Sequence, residues 1–383
     1  MSQARDRYEK AFADTVGAKA ARAFALGRQA LVVLLKALGL KEGDRVGLCG
    51  YTCLSVAEGV RAAGGVPVYL DVDEQLCISP QSLASLAPGC FKILILQHTF
   101  GLPGKLAELL GQAKRLGATV IEDCAHSLGG TWDGRPLGSF GAGAIYSFQW
   151  GKSYSTGQGG MLTANDPGLT GPVDDLIRAL AKPMSFKADL SLAIQRSAYA
   201  MLSGLPVQDR VKAAYKVLAR FGIVRVSFSE ELPEVSQEGY VRTAGGLLCR
   251  AGLRQLGRWP TRMALRVRNA QTIADFLARN GLPTWPIDPR CKPVLLRYPL
   301  LVSNKSEVLA SARSARLDIA GWYDSPVHPL KGRELEAVGY RRTCPNAEAL
   351  IQRVVHFPTG LQFSPGMLDL ASKVLHNQTH LPA

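Results

Sequence analysis

The sequence predicts an α/β fold: a large domain with a mostly parallel sheet, followed by a small C-terminal α/β domain. Between residues 30 and 165, short apolar runs alternate with helical stretches, as strands alternate with covering helices. The chain has 383 residues, more than one ordinary core requires. Acids and a histidine directly follow an apolar run, at the strand end where such sheets bind ligands.

The first feature along the chain is a helix over residues 4–26 that leads into a glycine turn and the apolar helix Ala30–Leu40. A glycine turn that opens a helix directs backbone amides and the helix dipole at an anion. We interpret the amides of Arg28 and Gln29, together with the Arg28 guanidinium, as a phosphate site. The alternative is an arginine at a helix start that lies in solvent.

Two further apolar runs end in polar side chains. The run Val46–Leu48 leads to Tyr51 and Cys53, and a second run leads to His98. A cysteine in such a place can simply be a small buried residue. His98 stands alone after its strand, and we interpret it as a structural residue.

Residues that could carry chemistry concentrate in the middle of the chain. One apolar strand leads into Asp123 and His126, and a second run, Ile145–Gln149, precedes Lys152 and a turn rich in glycine. A lysine in an aromatic and glycine-rich setting can be partly desolvated, which lowers its pKa and frees the neutral amine. Pyridoxal phosphate needs such a lysine for its Schiff base and an acid for its pyridine nitrogen. The alternative is a strand-end acid satisfied by backbone amides and a surface lysine.

This stretch resembles the active-site region of the DegT/DnrJ/StrS-type aminotransferases. These are fold-type-I pyridoxal phosphate enzymes, similar in fold to aspartate aminotransferase, that mostly aminate keto-sugar nucleotides. The resemblance covers nearly the whole chain and thins over residues 172–232. Its most specific part consists of Ile121-Glu122-Asp123-Cys124-Ala125-His126, Ser147-Phe148-Gln149 before Lys152, and Gly157-Gln158-Gly159-Gly160 before Thr163 and Asp166.

The resemblance implies roles for three residues at the reacting part of the cofactor. Lys152 would form the Schiff base with pyridoxal 5'-phosphate and move protons during the reaction. Asp123 would pair with the pyridine nitrogen, and His126 would lie near the phenolic oxygen. These implications agree with the chemistry expected of a desolvated lysine and a strand-end acid.

The resemblance also implies contacts to the cofactor phosphate and ring. Ser147 and the amides at Arg28-Gln29 would bind the phosphate, and Gln158 would be a further contact. The family has an aromatic residue stacked on the cofactor ring where this chain has Cys53. Tyr51 or smaller groups would therefore pack on the ring instead.

Substrate contacts are implied for four residues. Tyr240 and Arg242 occupy a motif that, in the family, reaches the neighbouring subunit's active site, and Tyr323 and His328 belong to a C-terminal motif. The family also implies a homodimer, glutamate as the usual amino donor and no metal ion.

The function that follows is transfer of an amino group, from glutamate, to a keto-sugar nucleotide, in the synthesis of aminosugars for surface polysaccharides or secondary metabolites. A first alternative keeps this chemistry but uses a non-sugar aldehyde or ketone, or a lipid-linked acceptor. A second alternative is a catalytically inert module that keeps the cofactor pocket for regulation. Lys152 together with Asp123 argues against the second alternative.

The composition of the chain limits the classes of partner that we expect it to bind. The formal net charge of +14 favours an anionic partner such as a sugar nucleotide or an acidic membrane surface. No nucleic-acid motif accompanies it, so we do not expect a nucleic-acid partner. The eight cysteines are scattered, without CxxC pairs or nearby histidines, and predict reduced thiols and no metal site. The N-terminus lacks the apolar region of a secretory signal, and we expect a cytoplasmic protein.

The domain prediction places the large cofactor-binding domain at residues 1–250 and the small domain at 251–383. Within the first, residues 172–232 form a basic, apolar and helical insert. Its part at 182–225 could lie on an anionic membrane, but we favour a flap or substrate lid. We expect Pro260 to divide the following helical stretch into two pieces.

Overall fold

A computed structural model of the chain describes residues 3–202, 239–361 and 365–375. Strands and helices are numbered here in chain order over these residues. The strands are β1 Ala20–Phe24, β2 Arg45–Cys49, β3 Thr52–Cys53, β4 Val66–Leu70, β5 Ile93–Gln97, β6 Thr119–Asp123, β7 Thr131–Trp132, β8 Arg135–Pro136, β9 Gly143–Ser147, β10 Gly160–Ala164, β11 Lys182–Pro183, β12 Arg242–Thr243, β13 Cys291–Lys292, β14 Arg297–Leu301, β15 Val327–His328 and β16 Val354–Pro358.

Helices lie between most of these strands. The α-helices are α1 Gln3–Val16, α2 Gly27–Ala37, α3 Leu54–Ala62, α4 Pro80–Ala84, α5 Leu106–Leu116, α6 Pro167–Leu180, α7 Phe186–Leu202, α8 Gly246–Arg279, α9 Lys305–Ser314, α10 Arg333–Ala337, α11 Pro345–Ile351 and α12 Pro365–Leu375. A short 3-10 helix covers Thr99–Gly101. None of the helices in the described part of the chain is both long enough and apolar enough to cross a bilayer.

The central sheet has nine strands in the order β11-β12-β1-β10-β9-β6-β5-β2-β4. The run from β9 to β4 is parallel. Strand β10 pairs antiparallel with β9, and β1 pairs antiparallel with β10, so that β1 again has the direction of the parallel run. Every residue of β5 and β10 is buried, as expected for strands covered on both faces. The predicted α/β fold with a mostly parallel sheet is therefore confirmed.

Alternate side chains of the strands enter two separate cores. Ile145 of β9 belongs to a core that also contains α2 residues such as Leu31 and Leu34. The next residue, Tyr146, belongs to a second core with Phe12 of α1 and Trp259 of α8. This alternation follows from the pleat of a strand, which turns successive side chains to opposite faces.

Register aligns the polar strand ends at one edge of the sheet. Gln97, the last residue of β5, pairs with Asp123, the last residue of β6, and Asp123 pairs with Ile145 of β9. Parallel strands present their carboxyl ends at the same edge, which is where α/β sheets bind ligands. Asp123 and Gln97 therefore lie side by side at this edge.

The C-terminal part contributes the antiparallel pair β14–β16 and helices α9, α11 and α12. It contacts the N-terminal part through β15, which forms a separate two-stranded sheet with β3, so that His328 lies opposite Cys53. The predicted domain boundary between residues 250 and 251 falls inside the continuous helix α8. The domain limits stay a prediction.

The expectation that Pro260 divides this stretch is wrong, because α8 continues through it. A proline inside a helix removes one backbone hydrogen bond and usually introduces a kink. Here the helix is anchored on both sides of Pro260, by Leu248 and Trp259 before it and by Ile273 after it, all of them buried. Packing of both halves outweighs the local cost of the proline.

Candidate active site

A cavity of about 750 Å³, which includes space open to solvent, lies at the carboxyl edge of the parallel strands. Its wall contains the last residues of three strands, Gln97, Asp123 and Ser147. The N-terminus of α2 and the loop that carries Lys152 complete it. The structure thus brings together the acid, the lysine and the glycine turn that are far apart in sequence.

Lys152 lies in a loop that leaves β9 and returns to β10. The loop is fixed by backbone hydrogen bonds from Trp150 to Gly157 and from Lys152 to Gln149, at 3.1 Å each. Burial of the amine lowers the pKa of Lys152, although the nearby Cys53 and Asp123 oppose this shift. A lysine with a lowered pKa has more of its amine in the neutral, nucleophilic form.

Asp123 is buried at the end of β6. Its Oδ1 accepts a hydrogen bond from the amide of Ala125 at 2.9 Å. Burial raises the pKa of Asp123, while the Ala125 amide, Lys152 and His98 act in the opposite direction. A desolvated carboxylate of this kind gains most from a cationic partner placed against it.

His126 is a neutral, oriented imidazole. Its Nδ1 accepts a hydrogen bond from the amide of Phe100 at 3.2 Å, so the neutral ring carries its proton on Nε2. The Phe100 ring stacks on it with centroids 6.0 Å apart and an angle of 20°. Burial and the charge of Lys152 lower the pKa of His126 well below its ordinary value. His126 can therefore donate one hydrogen bond into the cavity from Nε2.

The start of α2 forms another part of the cavity wall. Its N-cap, Leu26, has no capping side chain. The Gln29 amide donates to the Leu26 carbonyl at 3.2 Å, so only the amides before it in the first turn remain available to a ligand. A Cβ at Gly27 would lie 3.2 Å from the Cβ of Ser147, so glycine allows the helix to approach the end of β9 closely. Ser147 and the start of α2 therefore lie side by side in the cavity wall.

The two side chains at this helix start point to protein partners. The Arg28 Nη1 forms an ion pair with Glu58 Oε2 at 2.6 Å, although Arg28 also lines the cavity. Gln29 donates from Nε2 to the carbonyl of Tyr240 at 2.7 Å. A phosphate contact of Gln29 could thus come only from its backbone amide, which would have to share its hydrogen bond to the Leu26 carbonyl. Arg28 would likewise have to share its guanidinium with Glu58.

Of the two tyrosines predicted at the site, Tyr323 lines the cavity and Tyr51 does not. Tyr51 is fully buried and does not line the cavity; its hydroxyl accepts from the Tyr323 amide at 3.0 Å. Tyr323 does line the cavity and packs on Tyr51 with ring centroids 5.2 Å apart. Cys53 is also in the wall. Tyr323 is therefore the aromatic residue that lines this part of the cavity, beside Cys53.

The remaining predicted contacts lie outside the cavity wall. His328 stacks behind Tyr323, with centroids 5.1 Å apart. Gln158 accepts a hydrogen bond from the Thr156 hydroxyl through its backbone carbonyl. Arg242 is exposed on β12, and Tyr240 is half-buried with its carbonyl bound to Gln29. The roles expected for Tyr240 and Arg242 involve a neighbouring subunit, and they stay predictions.

Three polar residues of the wall were not predicted as contacts: Gln97, Ser55 and Gln149. Gln97 is fixed by the Thr52 hydroxyl at 2.6 Å and itself donates to Tyr51 and Thr99. Gln97 could have been predicted as a wall residue, because it ends an apolar strand that pairs with the strand of Asp123. Gln149 also stood within the Ser147-Phe148-Gln149 motif.

His98 also lines the cavity, and its Nε2 lies 2.8 Å from Glu122 Oε1. Together with Cys124, these two residues come close enough to hold a metal ion. The Glu122 oxygens, however, already accept hydrogen bonds from the amides of Gly138, Phe140 and Gly141. Burial raises the pKa of Glu122, but the His98 contact and the backbone amides outweigh burial, so the pKa is lowered overall. We therefore assign this cluster a structural role.

These residues fit pyridoxal phosphate. The donor set contains a desolvated amine, a buried carboxylate with a single amide partner, a neutral imidazole that can donate, and a helix N-terminus. These are the groups needed, respectively, for the aldehyde, the pyridine nitrogen, the phenolic oxygen and the phosphate.

Comparison with known proteins agrees with this fit. The model of the DegT/DnrJ/EryC1/StrS aminotransferase family matches residues 2–181 and 207–373. The L-glutamine:scyllo-inosose aminotransferase of Streptomyces griseus is 34% identical over 169 residues, which are 43% of this chain and 40% of that protein. The GDP-perosamine synthase of Caulobacter vibrioides is 36% identical over 163 residues, which are 42% of this chain and 44% of that protein. The chain thus spans less than half the length of these relatives.

Solved structures share the fold over nearly the whole chain. An aminotransferase from Psychrobacter cryohalolentis superposes with a TM-score of 0.75 at 22% identity, covering 98% of this chain and 91% of that one. DesV from S. venezuelae also gives 0.75, at 20% identity, with 98% and 89% covered. The predicted aspartate-aminotransferase-like fold is therefore confirmed. The chain belongs to the DegT/DnrJ/EryC1/StrS aminotransferase family, whose cofactor is pyridoxal phosphate.

Proposed function

We propose that this protein is an aminotransferase that moves an amino group, from glutamate, to the carbonyl of a keto-sugar nucleotide. The observation that carries the proposal is the pairing, in one cavity, of the desolvated Lys152 amine with the buried Asp123 carboxylate. The named relatives that act on an inosose and make GDP-perosamine support a sugar-like acceptor. Bound pyridoxal phosphate would supply an electron sink for the transfer.

Asp123 would hold a proton on the cofactor's pyridine nitrogen. Its Oδ1 is already oriented by the Ala125 amide, and its burial strengthens any interaction with a cation. The Nε2–H of His126 would donate to the phenolic oxygen. Both side chains are fixed before the ligand binds, so little reorganisation is needed.

Lys152 would have two roles in the reaction, cofactor attachment and proton transfer. Its amine would hold the cofactor in the resting enzyme, and when displaced by the amino donor it would take the proton from the donor's α-carbon. A positioned base with a pKa near the working pH is the most effective one, and burial moves the pKa of Lys152 in that direction. The loop bonds at Trp150 and Gln149 would keep the amine within reach.

The phosphate would be bound by the backbone at Arg28 and Gln29, by the Ser147 hydroxyl and by part of the Arg28 guanidinium. Gln158 lies outside the wall, so Gln149 replaces it in our proposal as the side chain near this surface. Tyr323 would pack beside the ring next to Cys53. A homodimer would bring in Tyr240 and Arg242 from the neighbouring subunit, and the protein would work in the cytoplasm.

The first experiment is an absorbance spectrum of the purified protein with pyridoxal phosphate, before and after glutamate. A visible band that glutamate shifts into the near ultraviolet, and that Lys152→Ala lacks, is expected. Glutamine is tested in parallel, because relatives are named for that donor. A band that does not depend on Lys152 would exclude the proposed chemistry and favour an inert cofactor-binding module.

A second experiment identifies the acceptor. One observation favours an alternative acceptor: Cys53 leaves more room in the wall than the family's aromatic residue would. The enzyme is therefore first incubated with the amino donor, so that its cofactor carries the amino group. Keto-sugar nucleotides, a keto-cyclitol and aliphatic aldehydes are then tested as acceptors. Turnover confined to keto-sugar nucleotides is expected, and turnover of aldehydes alone would replace the sugar acceptor with a non-sugar one.

A further inference from the structure

Lys152 is carried by a loop, and the position of its amine therefore depends on how that loop is held. The loop comprises residues 148–159, between β9 and β10. Its backbone hydrogen bonds join Trp150 to Gly157 and Lys152 to Gln149. These bonds close the loop on itself, and further support comes from side chains that pack on it from outside.

Helix α7 packs on this loop with one row of side chains. Leu192, Arg196 and Tyr199 are spaced four and three residues apart, which places them on one face of the helix. We call these three residues the α7 row. The Tyr199 ring packs on Trp150 with centroids 4.9 Å apart, and Arg196 Nη1 donates to the Thr156 carbonyl at 3.5 Å. The row thus contacts the loop both before and after the catalytic lysine.

Leu192 completes the packing at Gly157. It is buried, and its Cδ1 is only 3.2 Å from the point where a Cβ at Gly157 would lie. The same Cβ would lie 2.8 Å from the Trp150 ring, so the close contact of helix, ring and loop excludes a side chain here. Gly157 also has a φ of +84°, in the left-handed region that favours glycine. The loop and α7 therefore pack as one unit.

The helix that carries the α7 row is itself anchored to α8. The Asp189 carboxylate is buried and accepts hydrogen bonds from the amides of Leu247 and Leu248, at 2.7 and 2.9 Å. It thereby caps α8, whose N-cap residue is Gly245. A Cβ at Gly245 would collide with the Asp189 carboxylate, so a side chain there would displace it. The α7 row therefore rests on a support that includes α8.

Helix α7 lies where the match to the family model is interrupted. The model matches up to residue 181 and resumes at residue 207, so this support of the loop is outside what the chain shares with that model. The described residues that line the cavity include none from α7. The helix reaches the site through the loop. The lid and membrane roles considered for residues 182–225 stay predictions, and residues 203–225 lie outside the described part of the chain.

We infer that the α7 row is a set of positioning residues that hold the amine of Lys152 in place for the reaction. Trp150 precedes Lys152 by two residues and Thr156 follows it by four, so movement at either contact displaces the amine. A displacement of about 1 Å at a reacting group can cost roughly a hundredfold in rate. Looser packing would also admit water to the amine and return its pKa towards the ordinary value, because burial is what lowers it. This assignment rests on the proposed function of Lys152.

The test mixes cofactor-free protein with pyridoxal phosphate over a range of pH. The neutral amine attacks the aldehyde, so the pH at which the visible band forms at half its maximal rate follows the pKa of Lys152. We expect Tyr199→Ala and Leu192→Ala to move this midpoint up by about one pH unit. They should also slow the half-reaction with the amino donor by about tenfold, while the donor concentration for half-maximal rate stays within about twofold. Tyr199→Phe keeps the ring and should behave like the unchanged protein.

Each variant has a matched control. Phe186→Ala removes an aromatic side chain of α7 that is 73% exposed, and Leu109→Ala removes a buried leucine of α5. Both controls should keep the midpoint and the rate, although Leu109→Ala should lower the melting temperature, so a loss of stability alone does not produce the expected change. Tyr199 is 56% exposed, so its variant provides the test even where Leu192→Ala fails to fold. Row variants that shift neither quantity, or shift it no further than their controls, overturn the inference.

The unchanged protein separates this inference from the proposed function. Without a visible band that depends on Lys152, the proposed function fails and the role of the α7 row fails with it. With the band present in the unchanged protein, and with the same pH midpoint and rate in the row variants, only the role of the α7 row fails.

Discussion

Two parts of the cavity wall differ in how far protein partners compensate their buried charges. Asp123 is buried with the Ala125 amide as its hydrogen-bond donor, and Lys152 is desolvated with Asp123 as its nearby charge partner. Arg28, by contrast, already forms an ion pair with Glu58 at 2.6 Å, and both side chains are largely buried. The same wall thus contains one pair of weakly compensated groups and one cation that is compensated within the protein.

This contrast indicates which residues of the wall a ligand can bind most favourably. A buried group whose charge is poorly compensated gains strongly when a ligand supplies the opposite charge. An ion pair that is complete gains less, because the ligand competes with the existing partner. The Asp123 and Lys152 part is therefore expected to dominate chemistry, and Arg28 to modulate cofactor affinity.

The largest effect should follow Lys152→Ala. Loss of the amine removes both the attachment of the cofactor and the proton transfer, and we expect the half-reaction with glutamate to slow by roughly a thousandfold or more. Stopped-flow absorbance measures this rate. The control Lys114→Ala changes a lysine of α5 that is exposed. A residual rate within about tenfold of the original would remove Lys152 from the chemistry.

Asp123→Asn should have the next largest effect. An amide keeps the shape and can still accept from Ala125, but it cannot stabilise a protonated pyridine. A hydrogen bond to a charged group is worth about 1.5–3 kcal/mol, so we expect a loss of roughly ten- to a hundredfold in the half-reaction rate. Stopped-flow kinetics with the variant fully loaded separates this loss from weaker binding. An unchanged rate would mean that Asp123 does not face the pyridine nitrogen.

Arg28→Leu should weaken cofactor binding by about tenfold, if the guanidinium is shared between Glu58 and the phosphate. Glu58→Gln should act in the opposite direction, because it releases Arg28 to the phosphate. Titration followed by the visible band measures both affinities. The variant Arg28→Leu/Glu58→Leu removes the buried pair as a unit and controls for the cost of leaving Glu58 unpaired. Equal affinities in all variants would assign Arg28 to the fold alone.

The smallest expected effect is on the stability of the protein without cofactor. Burial raises the pKa of Asp123 above its ordinary value, so its contribution to stability is present at low pH and is lost as pH rises through the folded-state pKa. Asp123→Asn should therefore raise the melting temperature at neutral pH by about 2 °C, with less gain in mild acid. Calorimetry of both proteins over this pH range measures the difference. A variant that melts lower at neutral pH would show that the carboxylate is well compensated without ligand.

Much of the site could be predicted from local patterns. Asp123 ends an apolar strand, and the carboxyl end of a parallel strand faces the ligand crevice, so its position follows from the sheet type. Lys152 has an aromatic and glycine-rich setting in the sequence itself. Gly27 opens an apolar helix, and the structure indeed places that helix start against the end of β9.

Other features could not be predicted because they depend on contacts between distant segments. Tyr51 and Tyr323 are far apart in sequence, and only the pairing of β15 with β3 decides that Tyr323 enters the cavity while Tyr51 stays behind it. The partner of Arg28 lies on another helix. The continuity of α8 through Pro260 depends on burial of both halves of the helix.

Local sequence patterns were sufficient to predict the α/β sheet, the acid and the lysine at its carboxyl edge, and the family. These follow from periodicity and from motifs confined to short segments, whose geometry the local backbone dictates. The charge compensation in the cavity wall and the aromatic ring beside Cys53 could be read only from the folded chain. Burial and charge compensation depend on side chains that the fold brings together from distant parts of the sequence.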